Sequence, residues 1–112
     1  MNNESKLPLV VLFRNMESST AVEQKARLQA DKLGRYFDRI LGCRVIVEAD
    51  HRHHHKGKLY RVSISLTVPN TELVANRNPD ADHAHEDVYV AMRDAFDAVK
   101  RQLIEHAEKQ RQ

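Results

Sequence analysis

Two segments with a strict period of two constrain this chain more than any other feature. Residues 43–49 alternate Cys43, Val45, Val47 and Ala49 with Arg44 and Glu48, and residues 59–68 alternate Tyr60, Val62, Ile64, Leu66 and Val68 with Arg61, Ser63, Ser65 and Thr67. Side chains on a strand point to its two faces in turn, so each segment is predicted to be a strand with one buried and one exposed side. The nine residues between them, Asp50-His51-Arg52-His53-His54-His55-Lys56-Gly57-Lys58, are polar apart from one glycine. They read as the loop of a long hairpin. Two strands do not stand alone in water, so the rest of the chain has to widen this sheet and cover its apolar face.

The flanking segments supply both. Residues 7–14, LPLVVLFR, form an apolar, β-branched run whose early Pro8 suits the start of a strand. After it, Ser18, Ser19 and Thr20 offer N-capping hydroxyls, and Glu23 stands three residues past Thr20, the spacing of a capping box. At ~100° per residue, Val22, Ala26, Ala30, Leu33 and Phe37 fall within about 80° of one another, the apolar stripe of an amphipathic helix, which Gly42 can terminate. Pro69-Asn70-Thr71 reads as a turn and residues 72–76 as a short fourth strand. A second helix is expected from about residues 82–86 to about 109, with Tyr89, Met92, Phe96, Val99 and Leu103 facing the core at spacings of three and four. The predicted order is β-α-β-β-β-α: an α+β fold whose four-stranded sheet carries two helices on one face.

With 112 residues, 41% hydrophobic and 30% charged, the chain fits a single domain spanning 1–112, with an ordered core over about 7–109. No apolar run reaches the roughly 18 residues of a membrane span, and the start is too quickly charged for a signal segment. The expectation is a soluble cytoplasmic protein without a membrane partner. Charge is uneven: residues 1–61 hold 12 basic and 7 acidic side chains, residues 62–112 hold 6 and 9. The basic surface therefore belongs mainly to the first half.

Several chemistries can be weighed from residue types. His51, His53, His54 and His55 are metal-ligating side chains, but a hydrolytic zinc centre also needs preorganised ligands, an open position and a base, and no carboxylate stands among these histidines. They are expected to form a solvated hairpin tip that gains charge on mild acidification. His83 and His85, with Glu86 and Asp87, lie where carboxylates cap the second helix, and a composite metal site would need both histidine clusters to meet. The single Cys43 sits at an inward strand position and is expected to be buried and unreactive. Gly34, Gly42 and Gly57 are isolated and make no phosphate loop, which disfavours nucleotide hydrolysis. What remains is basic. Lys25, Lys32 and Arg39 recur every seven residues beside the apolar stripe, with Arg35 slightly further round and Arg27 close by. Such a ridge suits phosphate contacts, with Arg52, Lys56, Lys58 and Arg61 on or beside the hairpin as auxiliary cations. In the second helix Arg93, Asp97, Arg101, Glu105 and Lys109 alternate in sign at four-residue spacing, which lends that helix no net basic face.

The predicted order, the segment 31–40 (DKLGRYFDRI), the run Asp87-Val88-Tyr89-Val90-Ala91-Met92 and the stretch 97–106 (DAVKRQLIEH) together resemble the ribosome hibernation-promoting factors, which include the ribosome-associated inhibitors and sigma-54 modulation proteins. The likeness runs from about residue 7 to about 109 and is identified with the short form of the family. It implies a fold like a double-stranded-RNA-binding domain and a non-enzymatic protein without a cofactor or small-molecule substrate. Such a protein binds rRNA of the small ribosomal subunit near the tRNA and mRNA sites and blocks translation by occlusion. Carried over onto matching positions, the family's rRNA contacts fall on Lys32 and Arg39 in the first helix and on Lys100 and Arg101 in the second, while Lys25 and Arg35 come from the helical wheel alone.

The sequence departs from the family where relatives often read Lys-His-Lys and this chain has Glu105-His106-Ala107, and in a longer, more basic hairpin. No segment matches the C-terminal dimerisation domain of long-form factors, so the expected state is a monomer that does not pair ribosomes through a domain of its own. Two other readings stay open at this level: a small metal-binding protein using His51, His53, His54 and His55, and a protein-interaction module presenting the bare sheet face or the hairpin.

Overall fold

The computed structural model describes residues 7–50, 58–76 and 84–111. Strand β1 (Leu9–Arg14) leads into helix α1 (Thr20–Tyr36), then come β2 (Gly42–Asp50), β3 (Leu59–Val68), β4 (Thr71–Ala75) and helix α2 (Val88–Gln110). The strands lie in the order β1-β2-β3-β4. β1 and β2 are parallel, a pairing that needs a crossover, and α1 supplies it. The other two pairs are antiparallel, with Val45 opposite Ile64 and Leu66 opposite Leu73. This is the predicted α+β architecture.

Alternation sorts the sheet into two faces. Cys43, Val45, Val47 and Ala49 of β2 and Val62, Ile64, Leu66 and Val68 of β3 are buried beneath the helices. α1 meets them with Val22, Ala26, Ala30 and Leu33, and α2 with Ala91, Met92, Ala95, Phe96, Val99 and Leu103. α2 lies on β3 and β4 and is tied to the edge strand where Gln102 Nε2 donates to the Val74 carbonyl at 2.8 Å. α1 packs against β1 and α2, and Arg27 Nη1 holds the lead into β1 through the Leu7 carbonyl at 2.6 Å while pairing with Asp31 at 3.2 Å. The chain reverses between β3 and β4 at Pro69 and Asn70. Asn70 has φ 72°, the left-handed conformation that asparagine tolerates in a turn.

Several expectations shift. The α1 N-cap is Ser19, whose Oγ accepts from the Val22 amide at 3.2 Å, so the capping position is one residue earlier than the Thr20–Glu23 spacing implied. α1 stops at Tyr36 because Phe37 turns extended, its amide closing the last bond to Leu33 at 3.0 Å; Gly42 opens β2 instead of ending the helix. Arg39 is consequently not a helical residue, and the ridge Lys25, Lys32, Arg39 is helical only as far as Arg35. β1 begins at Leu9, β4 is displaced by one residue, and α2 begins at Val88, capped by Asp87. Tyr89 is 41% exposed: Ala91 and Ala95 are buried with Met92, so the buried face of α2 is centred away from Tyr89. Arg61 is on the open side of the sheet but not in solvent. Its Nη1 meets Asp50 Oδ2 at 2.7 Å, with side-chain exposures of 13% and 3%. A carboxylate so buried has to be neutralised by a partner, and that requirement draws Arg61 down onto the sheet.

Candidate nucleic-acid interface

The outer surface of the helix layer gathers the basic side chains. α1 can lie close to its neighbours because its buried positions are mostly small, and its polar side then presents Lys32 and Arg35, both exposed, and Lys25, half-buried. Lys25 and Lys32 are two turns apart, about 10 Å along the axis. From α2, Lys100 and Arg101 are successive residues and so point ~100° apart: Lys100 is half-buried against α1 and Arg101 is exposed.

Lys32 and Lys100 meet. Both line a groove of about 300 Å³ between the helices, floored by Leu33 and Phe96 and joined by Gln29, Asp97 and Tyr36. The Lys100 Nζ lies 5.0 Å from the centre of the Tyr36 ring, within the range of a cation–π contact. Arg39 stands in the turn after α1, where it lines a second hollow with Tyr36, Phe37, Leu103 and His106. Two helices and the turn that follows the first thus place Lys32, Lys100 and Arg39 along two hollows that share Tyr36. The nearest acid in α1, Asp31, is occupied by Arg27 and does not offset Lys32. Asp97 is the carboxylate inside the groove.

Tyr36 escaped the reading of single residues. It is 71% exposed, and its packing against Lys100 and Phe37, whose ring lies at 52° and 6.3 Å, is tertiary. One signal was available: on the α1 wheel Tyr36 falls outside the apolar stripe and beside Lys32, an aromatic residue on the polar side of a helix.

The auxiliary set divides. Lys58 is exposed at the foot of β3, and Arg61 leaves the set because Asp50 holds it. Arg52, Lys56 and the histidines His51, His53, His54 and His55 lie outside the described residues, as does His83. Among the described residues no group of three or more His, Cys, Asp or Glu side chains could hold a metal ion. His85 is engaged instead by Asp94, Nε2 to Oδ2 2.9 Å, while its backbone exchanges two hydrogen bonds with Tyr60. Cys43 is buried as expected, and burial pushes its thiol from the ordinary 9.0 up to about 12, against the smaller opposing pull of Arg27. Among the described residues no helix is long and apolar enough to cross a membrane.

Comparison with known proteins bears on this arrangement. Residues 9–111 match the family described as Sigma 54 modulation protein / S30EA ribosomal protein. The chain belongs to this family. It is 30% identical over 95 residues to a ribosome hibernation promoting factor of Azotobacter vinelandii, across 85% of this chain and 78% of the relative. To the ribosome hibernation promoting factor of Pseudomonas putida it is 32% identical over 89 residues, across 80% and 71%. Among solved structures it is similar to a ribosomal subunit interface protein from Coxiella burnetii, with TM-score 0.66 and 14% identity over 91% of this chain and 99% of the other. It is also similar to the N-terminal domain of Thermus thermophilus Protein Y, with TM-score 0.62 and 19% identity over 88% and 94%. These two likenesses bear on the fold. In this S30EA-family chain the matched stretch contains all six basic residues under discussion, Lys25, Lys32, Arg35, Arg39, Lys100 and Arg101.

Proposed function

We propose that this protein is a ribosome-associated translation inhibitor that docks through the outer surface of its two helices on rRNA of the small subunit, near the tRNA and mRNA sites. It acts by occupying space and catalyses nothing. The observation that carries the reading is the convergence of Lys32 and Lys100 from separate helices on one groove, in a family whose relatives are named for ribosome hibernation. Two ammonium groups held by rigid helices meet phosphates at fixed positions, and each neutralised phosphate releases condensed counterions. Lys25 and Arg35 extend the contact along α1, and Arg39 and Arg101 border it. Affinity then rests on shape and phosphate position, with no cofactor, in the cytoplasm, as a monomer.

Sedimentation with purified ribosomal subunits in sucrose gradients tests this. The expected result is co-migration with the small subunit at low salt, lost at high salt, and lost at low salt in the double variant Lys32→Glu, Lys100→Glu. Wild-type protein that stays at the top of the gradient at low salt removes the reading; a double variant that still co-migrates removes the site.

A further inference from the structure

Tyr36 borders two hollows of different chemistry. The first holds Lys32 and Lys100, and Lys100 covers one face of the ring at 5.0 Å. The second, of about 210 Å³, has mostly apolar walls from Phe37, Ile40, Val68 and Leu103, with Asp38, Arg39, His106 and Gln110 as polar members. Lys100 lines the first hollow and not the second, and Tyr36 lines both, so the ring belongs to the wall they share. A tyrosine 71% exposed contributes little to the core, yet its ring is held in place by a cation on one side and Phe37 beside it.

We propose that the second hollow takes one unpaired nucleobase of the bound RNA, stacked on the face of Tyr36 opposite Lys100, while the adjoining phosphate sits at Lys32 and Lys100. The inference rests on the RNA-docking reading and adds to it a contact that only a single-stranded nucleotide can make. Charge divides the occupant between the two sides. In the second hollow Asp38 offsets Arg39, so its polar rim carries no surplus cation for a phosphate but offers a carboxylate that accepts from an exocyclic amine, whereas the first hollow sets two ammonium groups against the single carboxylate of Asp97. Size points the same way: about 210 Å³ lies below the roughly 300–1,000 Å³ of sites for drug-sized ligands and suits one planar ring system. A base within a duplex is already paired and stacked on both sides, so it cannot enter; an unpaired base can be splayed onto an aromatic side chain.

The test uses the full chain, a labelled oligoadenylate strand, and the same strand annealed to oligouridylate, with affinities from fluorescence anisotropy. Tyr36→Ala is expected to weaken binding of the single strand about tenfold more than binding of the duplex, while Tyr36→Phe retains wild-type affinity for both. Ala107→Trp, which fills the hollow while leaving Tyr36 and every cation unsubstituted, is expected to bring the same selective loss, with folding checked by circular dichroism. Either variant binding the single strand as wild type does overturns the proposal. An equal loss on strand and duplex also overturns it, reducing Tyr36 to a support for Lys100. Small-subunit co-migration separates the two levels: if wild type co-migrates and the variants bind oligoadenylate normally, only the base pocket falls, whereas absence of co-migration removes the docking reading beneath it.

Discussion

The two helices share one sheet face but are built for different work. α2 buries Met92, Phe96, Val99 and Leu103 on the central and outer strands, whereas α1 buries chiefly Val22, Ala26, Ala30 and Leu33 beside Cys43. Large side chains make α2 the anchor of the core, at roughly 1.5–3 kcal/mol of transfer free energy for each one buried. Small side chains bring α1 close to its neighbours, and the basic residues of its polar side, Lys25, Lys32 and Arg35, stand on a rigid rail. Stability and charge presentation thus fall chiefly to different helices, which meet along the groove that Lys32, Tyr36 and Lys100 line.

The comparison can be broken most forcefully in α2. Phe96→Ala is expected to cost about 3–5 kcal/mol in urea unfolding, because the sheet beneath cannot collapse into the cavity. A cost below that of Leu33→Ala would reverse the assignment of the anchor. Next comes the charge pair. Lys32→Glu with Lys100→Glu should weaken small-subunit binding about a hundredfold and flatten the salt slope by about 2, with thermal stability nearly unchanged.

A third effect is set by pH beneath α1. Cys43 ionises near 9.0 in the unfolded chain and near 12 when buried. Below about pH 9 both states keep the proton; above it the unfolded state loses its proton first, binds fewer protons and is favoured. Stability should therefore fall with rising pH, reaching a loss of about 2 kcal/mol from this group by pH 10.5. Equilibrium unfolding of Cys43→Ala across this range should lack that part of the slope. Smaller still, Ser19→Ala and Asp87→Ala each remove a helix cap worth about 1 kcal/mol; calorimetry should find the Ser19 loss the larger, since its bond from the Val22 amide is partly buried while the Asp87 bond from Tyr89 is exposed to competing water. Last, a Cβ at Gly34 meets no atom within 4 Å, so Gly34→Ala should raise the melting temperature, by the equivalent of about 0.5–1 kcal/mol.

Period-two alternation located β3 to the residue, because both of its faces are set by its own neighbours in sequence. The end of α1 was not legible in the same way. Phe37 continues the apolar stripe on a helical wheel, and periodicity cannot register that its backbone has already become extended. Arg61 was given the right side of the sheet and the wrong environment, since what removes it from solvent is Asp50 on the neighbouring strand. The basic residues of the site were legible as a ridge, and the resemblance added Lys100. The groove itself was not, because Lys100 and Tyr36 approach across two helices whose packing no local pattern encodes.

A sheet covered on one side only is thin. The molecule measures 49 × 35 × 18 Å, a plate with two broad faces of unlike character. On the open face Arg14 and Arg44 alternate with Glu48, Glu72 and uncharged Val10, Leu12, Ser63 and Ser65, so positive and negative potentials nearly cancel there. The helix face concentrates its cations about the α1–α2 groove. In the field of a polyanion such a plate experiences a torque as well as an attraction, and it rotates before contact until the helices lead. Fewer collisions are then wasted on the wrong orientation, and the side left facing outward is the one with the least charge to hold a second nucleic acid.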